Sequence, residues 1–481
     1  MEASVITARR AVLDRRAFVL LCVVGGAALG VVAGGTWISL ALYGVSLLIV
    51  IAVSLVLRDL AGHPEHRRWL VPLSIAALVG ILVLSRFGRL QILLFGTPIT
   101  RFGEWVGISY LIFRLIHVLI DSNKLTKLAV NDTVKYGEPH PEREQSDLGT
   151  RRARSGNVLN YFPDRGLSAA TVVERSDVAA DNAQLGTGTE RSANVSHLFP
   201  VGGLSEPNEV TRLGSDNSRY RNKSVSPGDL CAYALFPPAL IAGPIHRATQ
   251  FLPQLDKPHY PASEPKLIDC LWRIGVGAAK KLVLANALSL IALNTSIAAN
   301  PLLPRWLLWL SLVAYTLMIY FDFAGYSDIA IGAAGLVGIV LPENFANPYA
   351  QGSVTRFWQT WHMSLSFWLR DYIFFPLSRF LLARLGRRWA TPIMATAHLV
   401  TMGIAGLWHG FTTGFLAWGL WHGAGLFANA QWSSFAKRRG LHMPTVVGLV
   451  LTFSFVMLGW VFFALGDVQT SVHFIARLFG G

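Results

Sequence analysis

Runs of about twenty apolar residues recur along this chain, near 17–35, 38–57, 69–85, 105–120, 229–245, 268–293, 306–321, 326–341, 391–408, 412–429 and 445–465. A helix of that length crosses the roughly 30 Å of hydrocarbon in a bilayer. In hydrocarbon every backbone polar group must be satisfied within the protein, which leaves helices as the spanning element for runs like these. The expected fold is therefore an all-α polytopic membrane protein with roughly eleven transmembrane or re-entrant helices. With 52% hydrophobic and 15% charged residues, the chain is too apolar for an ordinary soluble domain.

The formal net charge is +14, yet the pattern argues against nucleic-acid binding. The basic residues sit in short loops between apolar runs, the usual topology signal of a membrane protein. Arg9, Arg10, Arg15 and Arg16 precede the first run, and Arg58, Arg67 and Arg68 follow the second. Both groups belong in the cytoplasm, which places the N-terminus there. The first run is expected to be a retained span rather than a secretory signal peptide, because a second follows closely. Cys22, Cys231 and Cys270 form no Cys-x-x-Cys pair, so neither a disulfide framework nor a thiolate metal site is expected.

Residues 122–228 stand apart. They are polar, rich in Ser, Asn, Gly, Asp and Arg, and poor in aromatics. Such a composition buries too little apolar area to offset ordering entropy, and it reads as a disordered cytoplasmic insert. It carries about half of the acids and a similar number of bases, so the basic balance belongs to the membrane part. The expected division is N-terminal membrane helices at 1–100, the start of a core at 101–121, the insert, and the main core at 229–481.

No G-x-S-x-G, P-loop or H-E-x-x-H is present. What remains is polar residues in apolar surroundings, which default to a functional hypothesis. Asp322 and Asp328 sit in "YFDFAGYSDIAIG" (320–332) beside Pro-punctuated "LPENFANPY" (341–349), which contains Asn344. "FPPALIAGPIHR" (236–247) reads as a broken element lining a cavity. In "TRFWQTWHMSLSFWLRDYIFFPL" (355–377), helical spacing puts Trp361 with other aromatics on one face and His362, Ser366 and Arg370 on another. That spacing predicts one amphipathic helix, stopped or kinked at Pro376. Finally, Gly-Leu-Trp-His-Gly occurs twice, at 406–410 and 419–423. His409 and His422 are thirteen residues apart, about 220° on a continuous helix. Gly410, Thr412, Thr413 and Gly414 favour a turn between two helices, and spacing alone does not choose between the copies.

Together "FPPALIAGPI", "YFDFAGYSDIAIG", "PENFANPY", "RFWQTWHMSLSFWLRDYIFFPL", "GLWHG", "WGLWHGAGL" and "LGWVFF" resemble the membrane-bound O-acyltransferase family. The likeness spans about residues 100–475 and is strongest to the bacterial branch of D-alanyl transfer proteins and alginate O-acetyltransferases. The long polar insert departs from the short loop expected there.

The resemblance implies a ring of tilted helices around a thinned centre, where a cytoplasmic funnel meets an extracytoplasmic opening at two histidines. It makes His409, in the first Leu-Trp-His-Gly, the catalytic histidine, with His362 as the other polar centre and His422 its neighbour on the next helix. His422, Trp408, Trp361, Ser366, Arg356, Arg370, Asp322 and Asn344 are then expected to bind substrate or line the funnel. The implied reaction moves a short acyl group, acetyl or similar, from a cytoplasmic thioester to a hydroxyl of an exported or envelope polysaccharide. His409 would take the hydroxyl proton as general base, and His362 would orient the donor or stabilise an oxyanion. No bound cofactor or metal is expected; the donor, an acyl-CoA or a small acidic acyl carrier protein, is a co-substrate. The other expected partners are membrane lipid, the glycan acceptor and an extracytoplasmic acyltransferase, in a bacterial inner membrane. Two alternatives stay open: D-alanyl transfer to an envelope polymer, and a transporter or flippase without acyl chemistry.

Overall fold

The computed structural model describes residues 18–25, 37–86, 102–130, 225–256 and 264–481. Every regular element among them is helical. Five helical stretches there are long and apolar enough to cross a membrane: Tyr43–Gly62, Pro64–Val83, Arg305–Leu336, Arg387–His409 and Thr445–Leu465. Large apolar side chains face outward along the exterior, Leu48, Trp272, Leu290 and Val446 among them. Outward apolar patches of this kind fit lipid rather than water. The described residues are all-helical, as a membrane protein of this composition requires. Of the insert predicted at 122–228, residues 131–224 lie outside the described residues, while 122–130 continue a helix and 225–228 cap and open the next.

Helices α1 (Trp37–Gly62) and α2 (Arg67–Arg86) are joined by a short 3₁₀ turn. Helix α3 (Phe102–Val130) is buried on every side from Ile108 to Leu119. A helix apolar all round belongs in an interior, and α3 is a central strut. Yet Tyr110, Arg114 and His117, spaced four and three apart, share one face of it. Arg114 is fully buried, and its guanidinium donates to Ala234 O at 2.9 Å and to Ala239 O.

Those two carbonyls end α4 (Pro227–Ala234) and lie within α5 (Pro237–Leu240). The broken element expected from "FPPALIAGPI" is a single short turn of helix, α5, joined to the end of α4 by one arginine. Orphan carbonyls at helix C-termini favour a cation. Helix α4 opens with a reciprocal cap: Ser226 Oγ accepts from Asp229 N–H (3.1 Å), and Asp229 Oδ2 accepts from Ser226 N–H (3.0 Å).

The runs predicted as separate spans near 306–321 and 326–341 are one 32-residue helix, α7 (Arg305–Leu336). Asp322 and Asp328 did not end the span, because each meets a lysine of the preceding element. That element is α6 (Glu264–Ala278) followed by a π-helical segment, Ala279–Ala285. Lys280 Nζ donates to Asp328 (2.7 Å) and Lys281 Nζ to Asp322 (2.5 Å). The two helices touch through glycine: a Cβ on Gly277 would stand 2.6 Å from Gly325 O. Small residues let helix backbones approach in this way.

The single amphipathic helix predicted over 355–377 is not formed. Helix α8 (Val354–Thr360) ends at Trp361, and α9 (Met363–Leu369) begins after His362. Nor does Pro376 stop the chain. A π-helical segment, Arg370–Phe374, leads straight into α10 (Phe375–Leu385), where Pro376 falls in the first turn. The helix is continuous there, and the π-helical segment just before Pro376 accommodates its ring and its missing N–H.

Helices α11 (Ala390–His409) and α12 (Thr413–Arg439) make the tightest hairpin. Each first glycine of the doubled pentapeptide lies at their crossing. A Cβ on Gly406 would sit 2.2 Å from Phe415 O, and one on Gly419 2.2 Å from Met402 O. The turn expected at 410–414 is present, with Thr412 Oγ1 accepting from Phe415 N–H to start α12. Helices α13 (Thr445–Leu465) and α14 (Val468–Phe479) complete the chain.

Candidate active site

The loop after α7 is zipped to the break between α8 and α9. Ala346 N–H donates to Thr360 O (3.0 Å), and Met363 N–H to Asn344 O (2.9 Å). Asn347 and His362 take left-handed backbone, φ 50° and 41°, alone among the described non-glycine residues. Each such residue costs on the order of 1–3 kcal/mol and persists where its surroundings over-determine it.

At His362 the determinant is Asn344, which is fully buried. Its Oδ1 accepts from Ser364 Oγ (2.9 Å) and Ser364 N–H (3.3 Å), and its Nδ2 donates to Ser327 Oγ of α7 (3.1 Å). Ser364 Oγ in turn accepts from Ile245 N–H (2.9 Å). The same Oδ1 stands 3.0 Å from His362 Nδ1. Facing an oxygen that only accepts, Nδ1 carries the imidazole proton. Nε2 keeps its lone pair, and Tyr110 O–H on α3 donates to it at 3.2 Å. His362 is thus pinned at both ring nitrogens and packed against the Phe323 ring at 4.5 Å.

His409 is the last residue of α11, and its ring is only half-buried. Its centroid lies 4.5 Å from Trp408, 4.8 Å from Phe463 and 5.3 Å from Trp418. Trp408 meets Tyr110 edge-on at 5.6 Å. One aromatic layer therefore links the two histidines, which lie within electrostatic reach of one another.

His422 sits mid-helix on α12 and is fully buried. Trp358 Nε1 donates to its Nδ1 (3.3 Å), and Trp358, Trp418 and Phe455 enclose the ring at 5.1–5.5 Å. A Cβ on Gly459 would stand 2.9 Å from Nε2, so this imidazole fits a cast without spare room.

The other predicted residues divide. Asn344 and Trp408 join the histidines. Trp361 is buried among Phe345, Phe357 and Trp460 at 5.1–5.5 Å, and Ser366 Oγ donates to its carbonyl (2.9 Å), holding the helix break. Asp322 is spent on Lys281, and Arg356 is exposed on α8. Arg370 donates to Asp371 (2.8 Å), which also pairs with Arg247.

A polar cavity of about 190 Å³ reaches Asn344 and Ser327 from a charged rim of Arg273, Lys280, Asp328 and Glu343. Arg273 forks onto Glu343 at 2.7 and 2.5 Å, and its Nε donates to Asp328 at 3.1 Å.

Sequence reasoning missed Tyr110, Ser364 and Ser327. Tyr110 had a signal: three polar residues at helical spacing inside an apolar run, in "SYLIFRLIH" (109–117). The third of these, His117, bonds Tyr233 Oη at 2.6 Å.

The family model for the membrane-bound O-acyltransferases matches residues 107–465. A 256-residue stretch is 34% identical to the probable alginate O-acetylase AlgI of Pseudomonas syringae, covering 52% of this chain and 45% of that one. The peptidoglycan O-acetyltransferase of Helicobacter pylori is 30% identical over 253 residues, 52% and 46% of the two chains. The teichoic acid D-alanyltransferase of Bacillus subtilis is 29% identical over 248 residues, 49% and 60%. The chain spans about half the length of the acetylating relatives it matches.

Proposed function

This chain belongs to the membrane-bound O-acyltransferase family, and from that premise we propose that it transfers a short acyl group, acetyl or a close relative, to a hydroxyl of an envelope or exported polysaccharide. The observation that carries the reading is the contrast between two neighbouring imidazoles. His362 is buried and hydrogen-bonded at both ring nitrogens, whereas His409 is the last residue of its helix and only partly buried.

A neutral alcohol is a poor nucleophile. His409 takes the acceptor's proton as its oxygen attacks the thioester carbonyl. The tetrahedral intermediate collapses by breaking the C–S bond, and the proton passes to the departing thiolate. His362, its ring nitrogens engaged by Asn344 and Tyr110, is a fixed polar wall that orients the donor. The cavity at Asn344 is a polar approach to this centre, lined by charges that are already paired.

The donor is a cytoplasmic acyl-CoA or a small acidic carrier protein, with the acceptor and an acyltransferase partner on the far side. The helices close as a ring around the histidines in a bacterial inner membrane, N-terminus in the cytoplasm. Acetyl is favoured over D-alanyl because the alginate O-acetylase relatives match at 34–35% identity, against 29–30% for two D-alanyltransferases.

The test is mild-alkali release of ester-linked acids from envelope and exported glycans of a deletion strain. Complementation with the wild-type chain should restore one acid, whose identity names the acyl group. His409→Ala, inserted at wild-type level, should restore none. Ester content that never changes on deletion would remove the proposal and leave the transporter reading.

A further inference from the structure

We infer that the turn between α1 and α2 is a binding site for a divalent transition metal of the zinc class, formed by Asp59, His63 and His66. One ligand atom from each residue lies within 4.8 Å of the others. His66 Nδ1 stands 2.8 Å from Asp59 Oδ2, and His63 Nδ1 stands 3.5 Å from Asp59 Oδ1. A tetrahedral ion with bonds of about 2.0–2.1 Å needs its ligands roughly 3.3 Å apart. Those two separations run to different oxygens of Asp59, and the three ligand atoms span up to 4.8 Å, so side-chain rotations must draw the corners together on binding.

The backbone holds the set in place. His63 N–H donates to Asp59 O (2.7 Å), closing the last turn of α1, and His66 N–H donates to His63 O (3.1 Å). Between them Pro64 opens a 3₁₀ turn, Pro64–His66, and fixes its own φ. The two imidazoles stack at 4.9 Å and 17°, with the Trp69 ring 5.3 Å beyond His66. Three donors on one stiff turn lose little freedom on binding.

Ligand chemistry selects the metal. Two imidazoles and one carboxylate suit zinc, cobalt or nickel, whereas calcium and magnesium require oxygen. The side chains are 58%, 34% and 36% exposed for His63, His66 and Asp59, which opens the remaining coordination positions to water. Of the arginines adjacent to the set, the one that follows His66 points elsewhere. Arg67 turns away to Ser122 Oγ (2.6 Å) and Ile120 O (2.8 Å), tying the turn to the central helix α3. None of these residues touches the histidine centre, so the site is separate from acyl transfer.

The experiment titrates Co²⁺ into detergent-solubilised full-length protein, purified without a polyhistidine tag and stripped with chelator. One equivalent should bind with a visible d–d spectrum and be displaced by Zn²⁺. His63→Ala and His66→Ala should each weaken binding about tenfold or more. His442→Ala, which removes an exposed histidine elsewhere, should bind as the wild type does. Size-exclusion elution verifies that each variant is folded. No saturable spectrum, or equal binding by the His63→Ala/His66→Ala double variant, overturns the inference.

Discussion

The two copies of Gly-Leu-Trp-His-Gly are identical in letters and opposite in situation. In both, the first glycine is a contact point at the α11–α12 crossing. After that they diverge. The first copy ends its helix, and Gly410 follows in extended backbone with φ 173°. Its histidine sits half-exposed at the edge of the aromatic layer that reaches His362. The second copy continues through the middle of α12, and its histidine is sealed among tryptophans. The lesson is that the pentapeptide encodes a helix contact, while the helix end decides which imidazole is available for chemistry.

The comparison breaks most sharply at the histidines. His409→Ala is expected to lower ester formation by about 10²–10⁴-fold, the usual span for a lost general base, with normal membrane insertion. His422→Ala empties a fully buried site and should cost on the order of 3 kcal/mol of stability. Its ester formation per folded molecule should stay near wild type. Detergent melting curves and per-molecule activity, measured on both, decide the matter. An inactive but stable His422→Ala would reverse the assignment.

The shared half of the comparison comes next. Gly406→Ala and Gly419→Ala each place a methyl against a backbone carbonyl at 2.2 Å. Overpacking of this kind costs roughly 1–3 kcal/mol, so both should lower the melting temperature by a similar amount. If only Gly406→Ala did so, the crossing would not be the common role of the motif.

A smaller effect isolates the fixed imidazole that serves the first copy. Tyr110→Phe removes the donor to His362 Nε2 without changing the packing against Trp408. Losing one buried hydrogen bond costs about 1 kcal/mol of stability, so Tyr110→Phe should melt slightly below wild type while acyl transfer per folded molecule falls a few-fold. An unchanged rate would mean that Tyr110 does not help to hold His362 in place.

Much of this was legible in the sequence, for physical reasons. Apolar runs report burial in lipid directly, and glycine and threonine at 410–414 reported the turn. Long-range pairing is not written in local pattern. Asp322 and Asp328 look like span ends until Lys281 and Lys280, brought across by a π-helical segment, satisfy them. The amphipathic spacing over 355–377 is real, yet Asn344, eighteen residues before His362, breaks that helix by outbidding its hydrogen bonds. At the site His362, Asn344 and Trp408 were found from motifs, whereas Tyr110 comes from a helix more than 250 residues away from His362 in sequence.

The faintest difference between the two copies lies in the loop that only the first one has. Gly414 N–H donates to Gly466 O (3.1 Å), and Thr413 Oγ1 bonds the neighbouring Asp467 (3.3 Å), so the turn after His409 is anchored to the start of α14. Asp467 also caps α14, accepting from Thr470 N–H (2.8 Å) and Thr470 Oγ1 (2.9 Å). These bonds to the ionised form hold its carboxyl below the usual carboxylate value. A depressed acid contributes its stability in full above the unfolded value, near 3.9, and loses it as the pH falls through the lower folded value. The carboxylate is exposed, so the contribution is small. Asp467→Asn should therefore melt slightly below wild type at pH 7, and the gap should close as the pH drops below about 4. A gap that stays constant from pH 7 to 3 would mean that the charge on Asp467 does not anchor the loop of the first copy.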